Sequence, residues 1–297
     1  MTDPLRPAPV PEFSAVIAQL FIYPVKSCAG VALNEAIVTE TGLDLDRAWM
    51  VVDEHNDFLT QRELPRMALV VPQLRSNDIV LRAPGMLALH LAIDQVEAPV
   101  RASVWGEEVA AYDMGATAAQ WFSDFLGVKA RLVRFDPAHR RSSSLDWTGG
   151  VEALNQFSDG YPLLLTSEAS LAGLNYKLRA AGQDPVTMAR FRPNIVLGDA
   201  PGASPLAHDE DRLQTIDIAT NDGSVRLRPV KPCPRCPIVN VDPLLASSTP
   251  AVHDMLQSYR QDARLQGALS FGMNSIILQG FDQQLKVGQT VTGRYQF

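Results

Sequence analysis

The sequence predicts an α+β fold dominated by strands. Strands run in both halves of the chain, with a few helices between them. Three observations point this way. Short apolar runs recur along almost the whole chain after residue 15, turn residues punctuate them, and helical signals are few. With 297 residues, 46% of them hydrophobic, the chain sits at the upper edge of what one core serves, so one large or two interlocked domains are expected.

Residues 1–14 read as a disordered, proline-rich tail, with too many prolines for a helical leader. From Ala15 to about Val71 the pattern is that of antiparallel sheet. Val16, Ala18, Leu20 and Ile22 alternate with their neighbours, and Ala48 to Val52 and Phe58 to Thr60 flank a turn at Asp53 to Asp57. Ile79 to Leu81 and Leu87 to Leu91 continue the strands, and Trp105-Gly106-Glu107-Glu108 reads as a turn. A first helix is predicted over 117–126, ended by Gly127. The second half opens with a buried strand, Tyr161 to Leu165. Ser167 then caps a helix that runs through Leu178 and is closed by Gly182. Arg190 to Leu197 and Val225 to Val230 read as strands, Thr249-Pro250 starts a last helix, and Ser275 to Leu278 and Val287 to Val291 finish the sheet.

Composition removes several function classes. A formal net charge of -7 leaves no basic excess for nucleic acid or for an anionic membrane surface. No run of some eighteen apolar residues occurs, so no membrane association is expected. Three cysteines and no leader point to the reducing cytoplasm rather than to a disulfide scaffold.

The richest segment is Lys231-Pro-Cys233-Pro-Arg235-Cys236-Pro-Ile-Val-Asn-Val-Asp242-Pro243. A thiolate is a soft metal ligand and a nucleophile, and Arg235 favours the deprotonated form of its neighbour Cys236. Structural zinc would need a second pair of ligands that Cys28 and five scattered histidines do not provide. A thioredoxin-like dithiol would need a helix start, whereas Pro237 onward reads as extended strand. Two inert core thiols are the plain alternative, but three prolines and Arg235 make the segment a stiff, polar loop. Tyr23-Pro24-Val25-Lys26-Ser27-Cys28-Ala29-Gly30 offers an ammonium, a hydroxyl and free backbone donors, as a phosphate pocket requires, though Lys26 alone reads equally as a solvated loop lysine. Asp46-Arg47-Ala48-Trp49 beside Thr60-Gln61-Arg62 suits a surface ion pair or an anion contact, and Arg192 before Pro193 and Asn194 suits a turn tie or the same.

Together these segments resemble the MOSC family, and within it the two-part proteins with an N-terminal MOSC beta-barrel region that include the mitochondrial amidoxime-reducing component. The matches are Tyr-Pro-Val-Lys26-Ser27-Cys-x-Gly, Asp46-Arg47-x-Trp, Tyr161-Pro-Leu-Leu-Leu-Thr166-Ser167, Phe-Arg192-Pro-Asn194, Cys-x-Arg235-Cys236 with Val-Asp242-Pro243, and Phe271-Gly272-x-Asn274, in family order. The resemblance implies a strand-rich α+β fold: a barrel core in the second half, partly closed by N-terminal strands, with an N-terminal α/β region over 15–130 packed against the MOSC domain over 131–297, and a molybdenum-molybdopterin cofactor. Cys236 would be the protein ligand of the metal and the catalytic residue. Lys26, Ser27, Arg47, Thr166, Ser167, Arg192, Asn194, Arg235 and Asn274 fall in the cofactor-binding set. Pro234 stands where mitochondrial relatives have serine and Asn274 where they have tyrosine, so hydroxyl contacts there are lost.

The function so implied is reduction of small N-hydroxylated compounds, namely amidoximes, hydroxylamines and N-hydroxylated base analogues. Electrons would come from a separate flavin, iron-sulfur or haem protein, because the chain carries no cluster-spaced cysteines. A non-catalytic molybdopterin carrier and a sulfur-relay module using a Cys236 persulfide are the alternatives.

Overall fold

A computed structural model describes residues 13–296. Most of the predicted tail, residues 1–12, lies outside the described residues, but its last two members already belong to strand β1 (Phe13–Ile22). That strand buries Phe13, Ala15 and Ile17, then Leu20 and Ile22. The expected phase through Val16 and Ala18 therefore holds only after a register shift between Ile17 and Gln19. This irregularity inserts an extra residue and moves the inward set by one position.

Strands β2 (Val31–Leu33), β3 (Glu35–Thr39), β4 (Gly42–Leu43) and β5 (Trp49–Val52) follow, then β6 (Val71–Leu74), β7 (Asp78–Arg82) and β8 (Leu89–Ala92) as a three-stranded meander. Next come β9 (Pro99–Val104) and β10 (Glu107–Asp113), joined at Trp105-Gly106, where positive φ at both residues (56° and 80°) suits a tight hairpin. Helix α1 (Ala116–Leu126) ends on Gly127 in the left-handed conformation, as its sequence predicts. It packs Trp121, Phe122 and Phe125 over β11 (Arg131–Phe135), which joins β5, β10 and β9 in a four-stranded sheet.

The second half contributes α2 (Leu145–Thr148), β12 (Leu163–Ser167), α3 (Glu168–Ala180), β13 (Ile195–Gly198), β14 (Leu213–Ala219), β15 (Ser224–Pro234), α4 (Ala251–Gln257), β16 (Ser270–Gln279), β17 (Gln284–Lys286) and β18 (Thr290–Tyr295). Pairing runs β13-β12-β16-β15-β14-β18-β1 and returns from β1 to β13, a closed seven-stranded barrel around Ile17, Leu165, Leu197, Ile216, Leu227 and Val291. Closure removes the sheet edges that an open arrangement would expose. The expected strand-rich α+β architecture is the one observed, with a single N-terminal strand, β1, completing the barrel.

Three local readings differ. Arg190 to Leu197 is strand only from Ile195, because Met188–Arg190 forms a 3-10 turn and Arg192 turns left-handed ahead of Pro193. Residues 287–289 form a turn, with Gly288 at φ 88° and the Gln289 side chain accepting from the Lys286 amide, so the last strand begins at Thr290. Pro237–Asn240 is a 3-10 turn rather than extended strand: Pro237 opens it with its fixed φ, and burial of Val239 against Leu256 and Phe271 holds it. Among the described residues no helix is long and apolar enough to cross a membrane.

Candidate functional site

A cavity of about 450 Å³ opens at the seam between the barrel wall and the N-terminal sheet. The turn after β1 supplies Lys26 and Ser27, the turn before β5 supplies Arg47, and the link into β13 supplies Arg192 and Asn194. The end of β15 and its continuation supply Lys231, Cys233, Arg235 and Cys236, and β16 supplies Asn274. Among the described lining residues, Lys26, Arg47, Arg62, Arg192, Lys231 and Arg235 are cationic and Asp159 is the one acid. Such a wall is built for an anion.

Four of these cations, Lys26, Arg47, Arg192 and Arg235, are each tied to a backbone carbonyl. The Lys26 ammonium donates to the Phe157 carbonyl (2.8 Å) and to Asp159, and burial lowers its pKa against the opposing pull of that carboxylate. Arg47 donates to Asp46, to Asn194 Oδ1 (3.2 Å) and to the Arg192 carbonyl (3.0 Å). Arg192 donates to the Cys28 carbonyl (2.6 Å), and burial together with the Arg47 charge brings its pKa down to about 10. Both guanidiniums lie over the buried Tyr23 ring, Arg47 at 4.4 Å and Arg192 at 4.3 Å from its centroid, so cation–π attraction offsets part of their mutual repulsion. Arg235 donates to the Phe271 carbonyl (3.0 and 2.7 Å) and the Phe191 carbonyl (2.9 Å).

Ser27, Arg47 and Arg192 all have positive φ, at 64°, 52° and 55°. Non-glycine residues hold that conformation at a cost of order 1 kcal/mol or more each, and such strain concentrates where side chains or amides must be aimed at a ligand. With Trp105 (φ 56°), four strained residues from four separate segments converge on one cavity, which marks it as the candidate functional site.

Cys236 is half-buried at the N-cap of the Pro237–Asn240 turn, and Cys233 is half-buried beside it with its thiol pKa raised by burial. Cys28 is fully buried in the core, and burial pushes its thiol up to about 12, so it is inert. Among the described residues no group of three or more His, Cys, Asp or Glu side chains could hold a metal. A metal beside Cys236 must therefore arrive with its remaining ligands attached.

Eight of the predicted site residues line the cavity: Lys26, Ser27, Arg47, Arg192, Asn194, Arg235, Cys236 and Asn274. Asn194 is also a structural tie, 1% exposed, accepting from the Leu164 amide and donating to the Phe21 carbonyl. Thr166 and Ser167 are not brought into the cavity. The Thr166 hydroxyl donates to the Met188 sulfur, while the Ser167 hydroxyl caps α3 through the Ser170 amide and donates to buried Glu210. Asp242 likewise fastens the loop that follows, accepting from Arg190 and from the Leu244 and Leu245 amides. Sequence reasoning missed Phe58, Trp105, Asp159 and Lys231. Trp105 carried a signal as an aromatic at an exposed hairpin tip, whereas Asp159 in Ser-Asp-Gly is indistinguishable from an ordinary turn residue.

Comparison with known proteins agrees with this geometry. The MOSC N-terminal beta barrel domain matches residues 14–129 and the MOSC domain matches residues 153–292. Human "Mitochondrial amidoxime reducing component 2" is 34% identical over 82% of this chain and 72% of its own length. Human "Mitochondrial amidoxime-reducing component 1" is 34% identical over the same shares. Human "Molybdenum cofactor sulfurase" is 26% identical over 87% of this chain and 29% of its own length.

Proposed function

This chain belongs to the MOSC family, and from that premise we propose that it is a molybdenum-cofactor-dependent reductase of small N-hydroxylated compounds. The observation that carries the reading is a half-buried thiol, Cys236, in the same cavity as six cationic side chains. A molybdopterin cofactor is an anion with a phosphate and a dithiolene. The residues fit it, because cations suit the phosphate, a single thiolate suits a metal that brings its other ligands, and the volume lies within the range of cofactor pockets. Lys26, Arg47, Arg192 and Arg235 would hold the phosphate and pterin, with Ser27 and Asn274 adding neutral hydrogen bonds. Cys236 would ligate the metal.

When bound, the cofactor supplies the two electrons that, with two protons, convert N–OH to N–H and water. The protein's own work is positioning. The backbone ties on Arg47, Arg192 and Arg235 keep their guanidiniums from swinging, so an anion meets them already ordered. The relatives' names speak of amidoxime reduction, and on this reading electrons reach the site from a separate donor protein of flavin, iron-sulfur or haem type.

The test is molybdenum content followed by benzamidoxime turnover with a chemical electron donor. Cys236→Ser is expected to abolish molybdenum-dependent turnover while Cys233→Ser retains much of it, and the opposite ranking overturns the ligand assignment. Molybdenum without turnover on any N-hydroxylated compound would instead favour a carrier. A persulfide on Cys236, sought by mass spectrometry, would favour the sulfur relay suggested by similarity to the cofactor sulfurase.

A further inference from the structure

The cavity has two chemically distinct sides. The thiol and most of the cations belong to the barrel wall and its adjoining turns. Across from them stands a rim made by Phe58, Trp105 and Asp159, which the cofactor reading does not use. Trp105 is 53% exposed at the tip of the β9–β10 hairpin, its ring 5.0 Å from that of Phe58. Its indole N–H donates to Asp159 Oδ1 (3.0 Å), which also accepts from Lys26. Both bonds fall on Oδ1 and neither uses Oδ2, and the Asp159 side chain is 75% exposed.

We propose that this rim reads the substrate, the Asp159 carboxylate accepting the amino N–H of an amidine-type N-hydroxylated compound while Phe58 and Trp105 pack against its planar, conjugated body. The inference rests on the reductase reading and narrows it. Conjugated amidoximes, which carry an amino group on the carbon that bears N–OH, and N-hydroxylated bases, which present an adjacent ring N–H in their hydroxyimino form, become preferred over hydroxylamines that lack both. The reason is donor–acceptor arithmetic. Lysine and arginine donate and never accept, so a substrate amino group entering this cavity finds its one anionic acceptor at Asp159. Lys26 and Trp105 keep that acceptor ionised: partial loss of water at the cavity mouth works against its charge, but the Lys26 ammonium and the two hydrogen bonds outweigh it and hold the carboxyl below its usual range. The aromatic pair supplies the flat apolar surface that a conjugated ring needs.

The experiment compares benzamidoxime, which has the amino group, with N-phenylhydroxylamine, which has the ring and the N–OH but no amidine amino group. Both are measured on molybdenum-quantified wild type, Asp159→Asn and Trp105→Leu. Asp159→Asn is expected to raise KM for benzamidoxime about tenfold, the scale of one lost charge-assisted hydrogen bond, with less than about a twofold change for N-phenylhydroxylamine. Trp105→Leu is expected to raise both. An equal rise on both substrates in Asp159→Asn, or no rise on either, overturns the proposal. Calorimetric binding of benzamidine to the same proteins gives a readout independent of turnover, and Asp159→Asn is expected to weaken it by a similar factor. If molybdenum-loaded wild type reduces neither compound, the reductase reading falls. The rim is then judged by benzamidine alone, and unchanged binding in Asp159→Asn overturns it.

Discussion

Asn194→Ala separates a framework residue from a ligand contact. The side chain is 1% exposed; its Oδ1 accepts from the Leu164 amide (3.0 Å) and Arg47 (3.2 Å), and its Nδ2 donates to the Phe21 carbonyl (3.2 Å). It therefore ties β12 to β1 while bracing the guanidinium that faces the cavity. Truncation leaves the buried Leu164 N–H without its acceptor, which costs about 1–3 kcal/mol, and the small void adds about 1 kcal/mol. Arg47 keeps Asp46 and the Arg192 carbonyl, so its share is small. The sum, about 2–4 kcal/mol, corresponds to a Tm lower by roughly 3–6 °C for a chain of this size. The assay is scanning calorimetry on protein expressed without the cofactor, with Asn194→Asp alongside; aspartate keeps the acceptor and should recover at least half of the loss. A cofactor-free Tm within about 1 °C of wild type, together with lost molybdenum binding, would refute the framework role.

Local chemistry made much of the fold legible. Gly127 ends α1 because a left-handed residue is needed there, Ser167 caps α3 through the Ser170 amide, and Trp105-Gly106 turns a hairpin. The return of β1 onto both β13 and β18 was another matter. These partners lie far apart in the chain, and alternation carries no information on which strands meet, so the barrel's closure was anticipated from family order rather than from pattern. The site divides in the same way. Charges and the thiol were visible as residue types, but the left-handed backbone at Ser27, Arg47 and Arg192 was not, because no local rule favours it there. Tertiary ties impose it. The same ties explain Thr166 and Ser167: the hydroxyls that the resemblance placed in the cofactor-binding set are committed to Met188 and Glu210, groups distant in sequence. Asp159 stayed hidden because its role depends on Lys26 and Trp105, each supplied by a different segment.

Three further outcomes test the framework. In Gly272→Ala, at φ 76°, the new Cβ would lie 2.6 Å from the Leu165 carbonyl oxygen and from the Thr166 methyl, so the urea midpoint should fall by the equivalent of about 2–4 kcal/mol, and an unchanged midpoint refutes the contact. Arg192→Lys forfeits the planar stack on Tyr23 and is expected to lower molybdenum occupancy about tenfold, with occupancy equal to wild type as the refuting result. Glu210→Gln tests a buried carboxyl raised from its usual 4.5 to about 7, burial outweighing the hydrogen bonds it accepts from Ser170 and Ser167. In the folded protein this group holds its proton more tightly than in the unfolded chain, so its contribution is intact below about pH 4.5 and is lost as pH rises toward 7. His208, lowered to about 4 chiefly by burial, acts in the opposite sense between about 4 and 6.5, which would mask part of the effect in wild type alone. The difference between variant and wild type cancels His208. Glu210→Gln should therefore gain stability relative to wild type between pH 5 and pH 8, by at most ~3 kcal/mol, and a pH-independent difference would show that the carboxyl does not titrate in that window.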